Sequence, residues 1–269
     1  MLPPESGMKL NSRREEGQTF IAGHPLARPG RAMIGVIGGS GLASPTLLTE
    51  PRDTFTVTPH GAPSGPVVHA RHGDVKVAFV ARHGPGHKIP PHRVNHRANL
   101  WALKEAGADR ILATSSVGSL KIPIRPGTFV VPHDYVAFWN IPTFYDEEVR
   151  HVTPSIDEGL RKVLLAAAKT ARARAAPKGV YVQATGPRLE TRAEIAFFKT
   201  LGDVVGMTVA SEATLASELG IPYAALCSVD NYCHGLTPKP VTFREIQEMQ
   251  KKNAAASEAI LAAALEALR

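Results

Sequence analysis

Arg82 and His83 stand directly behind the apolar run "KVAFVA", so a guanidinium and an imidazole emerge where a strand is predicted to end. A guanidinium in that position forks naturally onto phosphate oxygens. Small and hydroxylic residues recur in equivalent places: Gly38-Gly39-Ser40-Gly41, Thr114-Ser115-Ser116-Val117-Gly118 and Gly206-Met207-Thr208. Loops of this kind bring backbone N–H groups and hydroxyls close to an anion. The first lacks both the GxGxxG spacing of dinucleotide sites and the GK[ST] ending of a P-loop. A second set of residues suits a heterocycle. Asp230-Asn231-Tyr232 ends an apolar run with groups that donate and accept, and Arg188 and Glu190 follow another in "ATGPRLETRAE". Glu212 comes shortly after Thr208 as an acid in apolar surroundings.

His87, His92 and His96 raise the question of a metal, since the last two are four apart on a predicted helix. No Asp, Glu or Cys lies within residues 77–103 to complete a coordination sphere, and Arg82, Arg93 and Arg97 would repel a cation. No metal is therefore expected, and His92, His96 and Arg97 read as members of a solvated or structural helix face. Plain readings compete elsewhere too. Met207 reads equally as a core thioether, and Glu190 as a first-turn acid favoured by the helix dipole.

Seven apolar, β-rich runs must carry these groups. They begin at residues 33–37 and continue through "KVAFVARHG", "RILATSSVGSL", "TFVVPHDYV", "GVYVQATGPRLE", "DVVGMTVASEA" and "YAALCSVDNYCHG". Helical patterns lie between them: "HRVNHRANLWALKEAG" closed by Gly107, "SIDEGLRKVLLAAAKTARARA", "TRAEIAFFKTLG" closed by Gly202, and "SEATLASELG" closed by Gly220. A long Ala-rich helix runs from about Phe243, and Thr191 to Glu194 reads as a capped helix start. Alternating strands and helices predict a single α/β domain over residues 33–269, its central, mostly parallel mixed sheet flanked by helices. In such sheets the site lies at the carboxyl ends of the strands.

The 269 residues, 43% of them hydrophobic, suffice for one such domain with a substantial core. The formal charge of +7 comes from scattered Lys and Arg, and only 6% of residues are aromatic, which suits small phosphates at least as well as nucleic acid. Cys227 and Cys233 offer no disulfide framework, and no apolar run is long enough for a membrane span, so a cytoplasmic setting is expected. Residues 1–32 carry Pro, Gly and mixed charge without period and read as a flexible extension.

From Ile34 to about Glu248 the chain resembles the trimeric purine nucleoside phosphorylase and methylthioadenosine phosphorylase family. The motifs that carry the resemblance, in order, are "GVIGGSG", "RHG", "VNHRANLWALKEAG", "SSVGSL", "GPRLETRAE" and "GMTVASEA". The resemblance implies phosphorolysis, in which phosphate displaces a purine from the anomeric carbon and leaves ribose 1-phosphate or its 5-methylthio analogue. It places Ser40, Arg82, His83, Ser115 and Thr208 on phosphate, Met207 under the sugar, Asn231 at purine N7 and the six-position, and Glu190 at N1. Arg82, Glu190 and Asn231 become the catalytic candidates, while Ser116, Leu189, Asp230, His151, Phe243 and Ile246 would contact the substrate. Phosphate is then a co-substrate, no cofactor is needed, and a homo-oligomer, trimer or dimer of trimers, is implied, with no membrane or nucleic-acid partner.

In the family's methylthioadenosine enzymes an aspartate stands where this chain has Asn231, and the 6-oxopurine enzymes carry a glutamate at Glu190. Both positions therefore favour inosine, guanosine or methylthioinosine, unless Asp230 rotates in and restores an adenine-type contact. Leu189 replaces a stacking Phe, and Ser211 replaces a proline before Glu212. These departures motivate a competing reading, a nucleoside-binding homologue without turnover. His151 is expected to reach a neighbouring subunit's 5′ group, near Phe243 and Ile246; His87 stays open between a neighbour of the phosphate site and a lid residue, and His234 receives no role.

Overall fold

The computed structural model describes residues 33–42, 46–139 and 141–269, so the extension expected over residues 1–32 lies outside the described residues. The strands are β1 (Met33–Gly38), β2 (Thr49–Thr54), β3 (Val67–His72), β4 (Val75–Ala81), β5 (Ala108–Ser119), β6 (Phe129–Val130), β7 (Asp134–Val136), β8 (Ala175–Ala176), β9 (Val180–Gln183), β10 (Val204–Gly206) and β11 (Tyr223–Tyr232). The helices are α1 (His96–Glu105), α2 (Glu158–Thr170), α3 (Arg192–Leu201), α4 (Val209–Glu218) and α5 (Phe243–Ala267).

The long strand β5 is the spine of the sheet. β1 lies parallel to its first half and β4 parallel to β1, while β11 runs parallel along β5 from Ile111 to Ser119. β7, β9 and β10 continue in parallel beyond an antiparallel junction of β10 with the end of β5. These central strands are buried on both faces, which is why they read as unbroken apolar runs: Ile34, Val36, Val77, Val80 and Ile111 are all fully buried. Each such side chain contributes roughly 1.5–3 kcal/mol through burial. On one side α5 packs against α2 and β11, and elsewhere α1 packs against α4.

The antiparallel edge formed by β2 and β3 was not legible, because every residue of β2, "TEPRDT", is exposed and shows no apolar alternation. Other boundaries moved for local reasons. Asn95 accepts a hydrogen bond from the Ala98 N–H and starts α1 at His96, leaving His92 in a separate 3-10 turn over Pro91–Arg93. His92 and His96 are therefore not a turn apart on one helix. Pro132 falls between β6 and β7 and interrupts the run read as one strand. Gly107 and Gly220 close their helices at φ 89° and 69°, whereas Gly202 is extended at φ −153°.

Residues 114–118, read as a loop, continue as strand, because β11 supplies partners from Leu226↔Thr114 to Asn231↔Gly118. A register shift between Val229 and Asn231 interrupts this ladder at Asp230.

Candidate active site

The ends of β1, β4 and β10 and the inner lengths of β5 and β11 converge on a cavity of about 590 Å³. Two groups of residues meet in its wall.

The first group is built for an anion. Ser40 follows β1, Arg82 and His83 follow β4, Ser115 lies in β5, and Thr208 is the cap position of α4; all five line the cavity. The Thr208 hydroxyl is buried without a protein partner and makes no cap bond, so it is free for a ligand. Its backbone N–H and that of Val209 donate to the Tyr181 hydroxyl instead, at 3.0 and 3.3 Å. Gly39 permits a close approach: a Cβ there would lie 2.3 Å from Arg82 Nη1 and 2.4 Å from the Thr114 carbonyl oxygen.

Arg82 departs from its expected geometry. Its fork is on a carboxylate of the protein: Nε donates to Glu212 Oε1 at 2.5 Å and Nη2 to Oε2 at 2.8 Å, while Nη1 donates to the Thr114 carbonyl at 2.7 Å. Both partners are only 1% exposed. A guanidinium has five N–H bonds, so one on each Nη is left for a ligand. Burial by itself would raise the Glu212 pKa, but the charge and hydrogen bonds of Arg82 outweigh it and hold the carboxyl well below its usual range. His83 is lowered to about 4 by burial and by the neighbouring Arg82 charge. It is therefore neutral, with Nδ1 donating to the Ile89 carbonyl at 2.8 Å and Nε2 carrying a lone pair. The His87 ring lies against the His83 ring at a tilt of 41°, centroids 4.3 Å apart, and joins the same wall.

The second group suits a heterocycle. Asn231, Glu190, Leu189 and Met207 line the cavity together with Cys233. Gly118 makes room for them, since a Cβ there would lie 2.6 Å from Cys233 Sγ and 3.2 Å from Asn231 Nδ2. Asn231 Nδ2 donates to the Tyr232 carbonyl at 2.9 Å, which orients the amide and leaves one N–H and Oδ1 free. Desolvation raises the Glu190 pKa, and the nearby Glu194 adds to it. Phe243, Ile246 and Gln250 of α5 complete the wall beside Val241.

Asp230 does not join this wall. Neighbouring strand residues face opposite ways, and its carboxylate accepts from Ser116 Oγ, from Ser228 Oγ at 2.6 Å and from Asn253 Nδ2 at 3.0 Å. The substrate contact expected of it is corrected to a structural latch, and a group held by three donors does not rotate in. The Ser116 hydroxyl, although it lines the cavity, is spent on Asp230 and on accepting from Gln250 Nε2 at 3.0 Å. His151 is exposed and outside this wall, and His234 sits on its margin, accepting from Arg192 Nε at 3.3 Å. Ser211, in the proline's place, is held at both ends: Gln183 accepts from its backbone N–H at 3.1 Å and donates to its hydroxyl at 2.6 Å. Among the described residues no group of three or more His, Cys, Asp or Glu is arranged to hold a metal.

Sequence reasoning missed Cys233, Gln250 and Val241, whose apolar or amide side chains carry no local signal of a ligand. Tyr181 and Tyr223 were missed because they act from behind, through hydrogen bonds, and Thr114, expected among the anion-facing hydroxyls, instead accepts from Gly39 N–H and Arg82.

Residues 33–266 match the phosphorylase superfamily. The chain belongs to that superfamily. It is 44% identical over 223 residues to a probable 6-oxopurine nucleoside phosphorylase of Archaeoglobus fulgidus, covering 82% of this chain and 91% of the relative. It is 45% identical over 229 residues to a probable S-methyl-5′-thioinosine phosphorylase of Methanothermobacter thermautotrophicus, covering 82% and 80%. Among solved structures, the methylthioadenosine phosphorylase of Schistosoma mansoni in complex with adenine superposes with a TM-score of 0.82 at 32% identity, covering 88% of this phosphorylase and 92% of that chain. No described helix of this phosphorylase is long and apolar enough to cross a membrane.

Proposed function

We propose that this phosphorylase cleaves 6-oxopurine nucleosides. Inorganic phosphate attacks the anomeric carbon as the C1′–N9 bond breaks, and free base and ribose 1-phosphate, or 5-methylthioribose 1-phosphate, leave. The free hydroxyl of Thr208, the two remaining N–H bonds of Arg82, Ser40 and Ser115 would hold the phosphate against C1′. A dianion so placed both stabilises the oxocarbenium-like transition state and attacks it. Met207 offers that cation a polarizable, uncharged surface. Asn231 meets the charge that develops on the departing base, with its free amide N–H towards the six-position and its Oδ1 towards a protonated N7.

The observation that carries the base preference is the pairing of Glu190 with Asn231 in one wall while Asp230 is tied up behind it. A desolvated carboxylate needs a donor. The N1–H of a 6-oxopurine supplies one; adenine offers only a lone pair there. The free amide N–H of Asn231 suits a 6-oxo group in the same way. The apolar side chains Phe243 and Ile246 favour a 5′-methylthio group over a hydroxyl.

Release of free base from inosine, guanosine, methylthioinosine, adenosine and methylthioadenosine, each with and without phosphate, tests this reading. It predicts strict phosphate dependence and a kcat/KM for the 6-oxo compounds about 100-fold above their 6-amino counterparts, on the order of two hydrogen bonds. Methylthioadenosine as the best substrate would overturn the base preference, hydrolysis without phosphate would indicate a nucleosidase, and tight base binding without turnover a binding protein.

The self-association implied by the family fits an exposed aromatic cluster, Phe138, Trp139 and Phe197, whose rings stack on one another outside the cavity. A solution mass of three or six chains is the expected result.

A further inference from the structure

Glu212 is fully buried and does not touch the cavity, yet both oxygens of its carboxylate accept from Arg82, which does. Oε1 accepts from Arg82 Nε, and Oε2 accepts from Arg82 Nη2 and, at 2.8 Å, from the Tyr223 hydroxyl. His96 Nδ1 stands 3.6 Å from Oε1. In the chain, Glu212 lies one turn beyond Thr208, and its N–H donates to the Thr208 carbonyl at 3.2 Å. One helical turn therefore carries both the free hydroxyl that faces the anion and the carboxylate that grips the guanidinium facing it.

The alternative anchors of Arg82 are few. The Thr114 carbonyl takes a single N–H, and a lone hydrogen bond lets a guanidinium turn about its Cδ–Nε bond. The bidentate carboxylate fixes that plane, and with it the direction of the two N–H bonds left over.

We propose that Glu212 is the positioning residue of the phosphate site: it aims Arg82 at the anion and, through Tyr223, is itself held in place. This rests on the phosphorolysis reading for the identity of the anion. The role is distinct from catalysis, because Glu212 reaches no reacting atom. It is also distinct from general packing, because its effect falls on one of two substrates. Loss of the fork raises the KM and Kd for phosphate and leaves the purine nucleoside's KM in place.

The test uses the full chain, with inorganic phosphate as the titrant and inosine or methylthioinosine as the nucleoside. In Glu212→Gln, an isosteric change that sets an amide N–H against the guanidinium, the Kd and KM for phosphate rise about tenfold or more, as the loss of one charged hydrogen bond implies. The nucleoside KM stays within about twofold. Tyr223→Phe, which removes only the hydroxyl behind the carboxylate, moves phosphate affinity the same way by about two- to fourfold, and it decides the matter if Glu212→Gln does not fold. Unchanged or tighter phosphate binding in a folded Glu212→Gln protein, or equal rises in both KM values, overturns the proposal. Should the unaltered protein bind phosphate but release no base, the phosphorolysis reading fails while the phosphate titrations still decide the role of Glu212. Should it bind no phosphate, both fail.

Discussion

Two arginine–glutamate pairs in this protein share a bidentate geometry and little else. Arg82 and Glu212, 130 residues apart, meet at 1% exposure each, while Arg188 and Glu194, six residues apart, meet at 66% and 33%. Both arginines follow strands, and both glutamates are held well below the usual carboxylate range. For Glu194 the leading cause is the hydrogen bonding from Arg188, joined by the Thr191 backbone N–H; for Glu212 burial opposes the shift and the Arg82 charge must overcome it. The outer pair finishes a capping box: Thr191 accepts from the Glu194 N–H, and Glu194 accepts from the Thr191 N–H. It starts α3 and steadies the loop that carries Leu189 and Glu190. The inner pair has no water to fall back on, so its two members stand or fall together. Equal geometry thus yields a modest helix start in one place and, in the other, a fixed guanidinium at the heart of the cavity.

The contrast is broken most directly by removing one partner of each pair. Arg82→Met leaves a buried, unpaired carboxylate and is expected to cost about 3–5 kcal/mol in chemical denaturation together with all phosphorolysis. The further change Glu212→Leu is expected to return much of that stability and none of the activity, since the buried charge is then gone but the anion donor is still missing. A fully stable Arg82→Met protein would show that the pair is dispensable to the fold.

Acid separates the interior from the surface. His83 has a folded pKa of about 4 against about 6.5 unfolded, so the unfolded chain binds more protons between those values and stability falls as the pH drops from about 6.5 to 4. That loss is on the order of 3 kcal/mol, and denaturation midpoints of His83→Asn should lack it. Glu212, with its lowered pKa, adds a loss of the same sign below the unfolded carboxylate range. Smaller effects belong to the outer pair. Thr191→Ala is expected to cost about 1 kcal/mol through loss of the cap. Arg188→Ala should cost less than the loss of the cap, and 1 M salt should erase most of that small effect in a thermal melt. A large, salt-independent effect of Arg188→Ala would remove the distinction between the two pairs.

The outer pair could be read from the chain and the inner one could not. Thr191 and Glu194 lie three apart, a spacing whose meaning is local, and the helix begins where that spacing puts it. The strands β1, β4 and β11 and the first half of β5 were equally plain, because burial on both faces leaves a short apolar run bounded by turn residues. Arg82 was legible as a charged residue at a strand end, but its partner lies in α4 and its second anchor in β5. Likewise nothing local told Asn231 from Asp230: adjacent and chemically alike, they are parted by a register shift that turns one to the cavity and the other to Ser116, Ser228 and Asn253.

By itself, the sequence determined the α/β class, the parallel centre of the sheet, the helix starts with local caps, and the kinds of group gathered at the strand ends. Those properties follow from periodicity and short-range hydrogen bonding, which act over a few residues. Only the tertiary structure decided which groups are free to meet a ligand. The Thr208 hydroxyl is free, three of the five Arg82 N–H bonds are engaged, and three donors hold the Asp230 carboxylate. Availability depends on what the folded chain brings within 3 Å of each polar atom, and those neighbours come from segments far apart in the sequence.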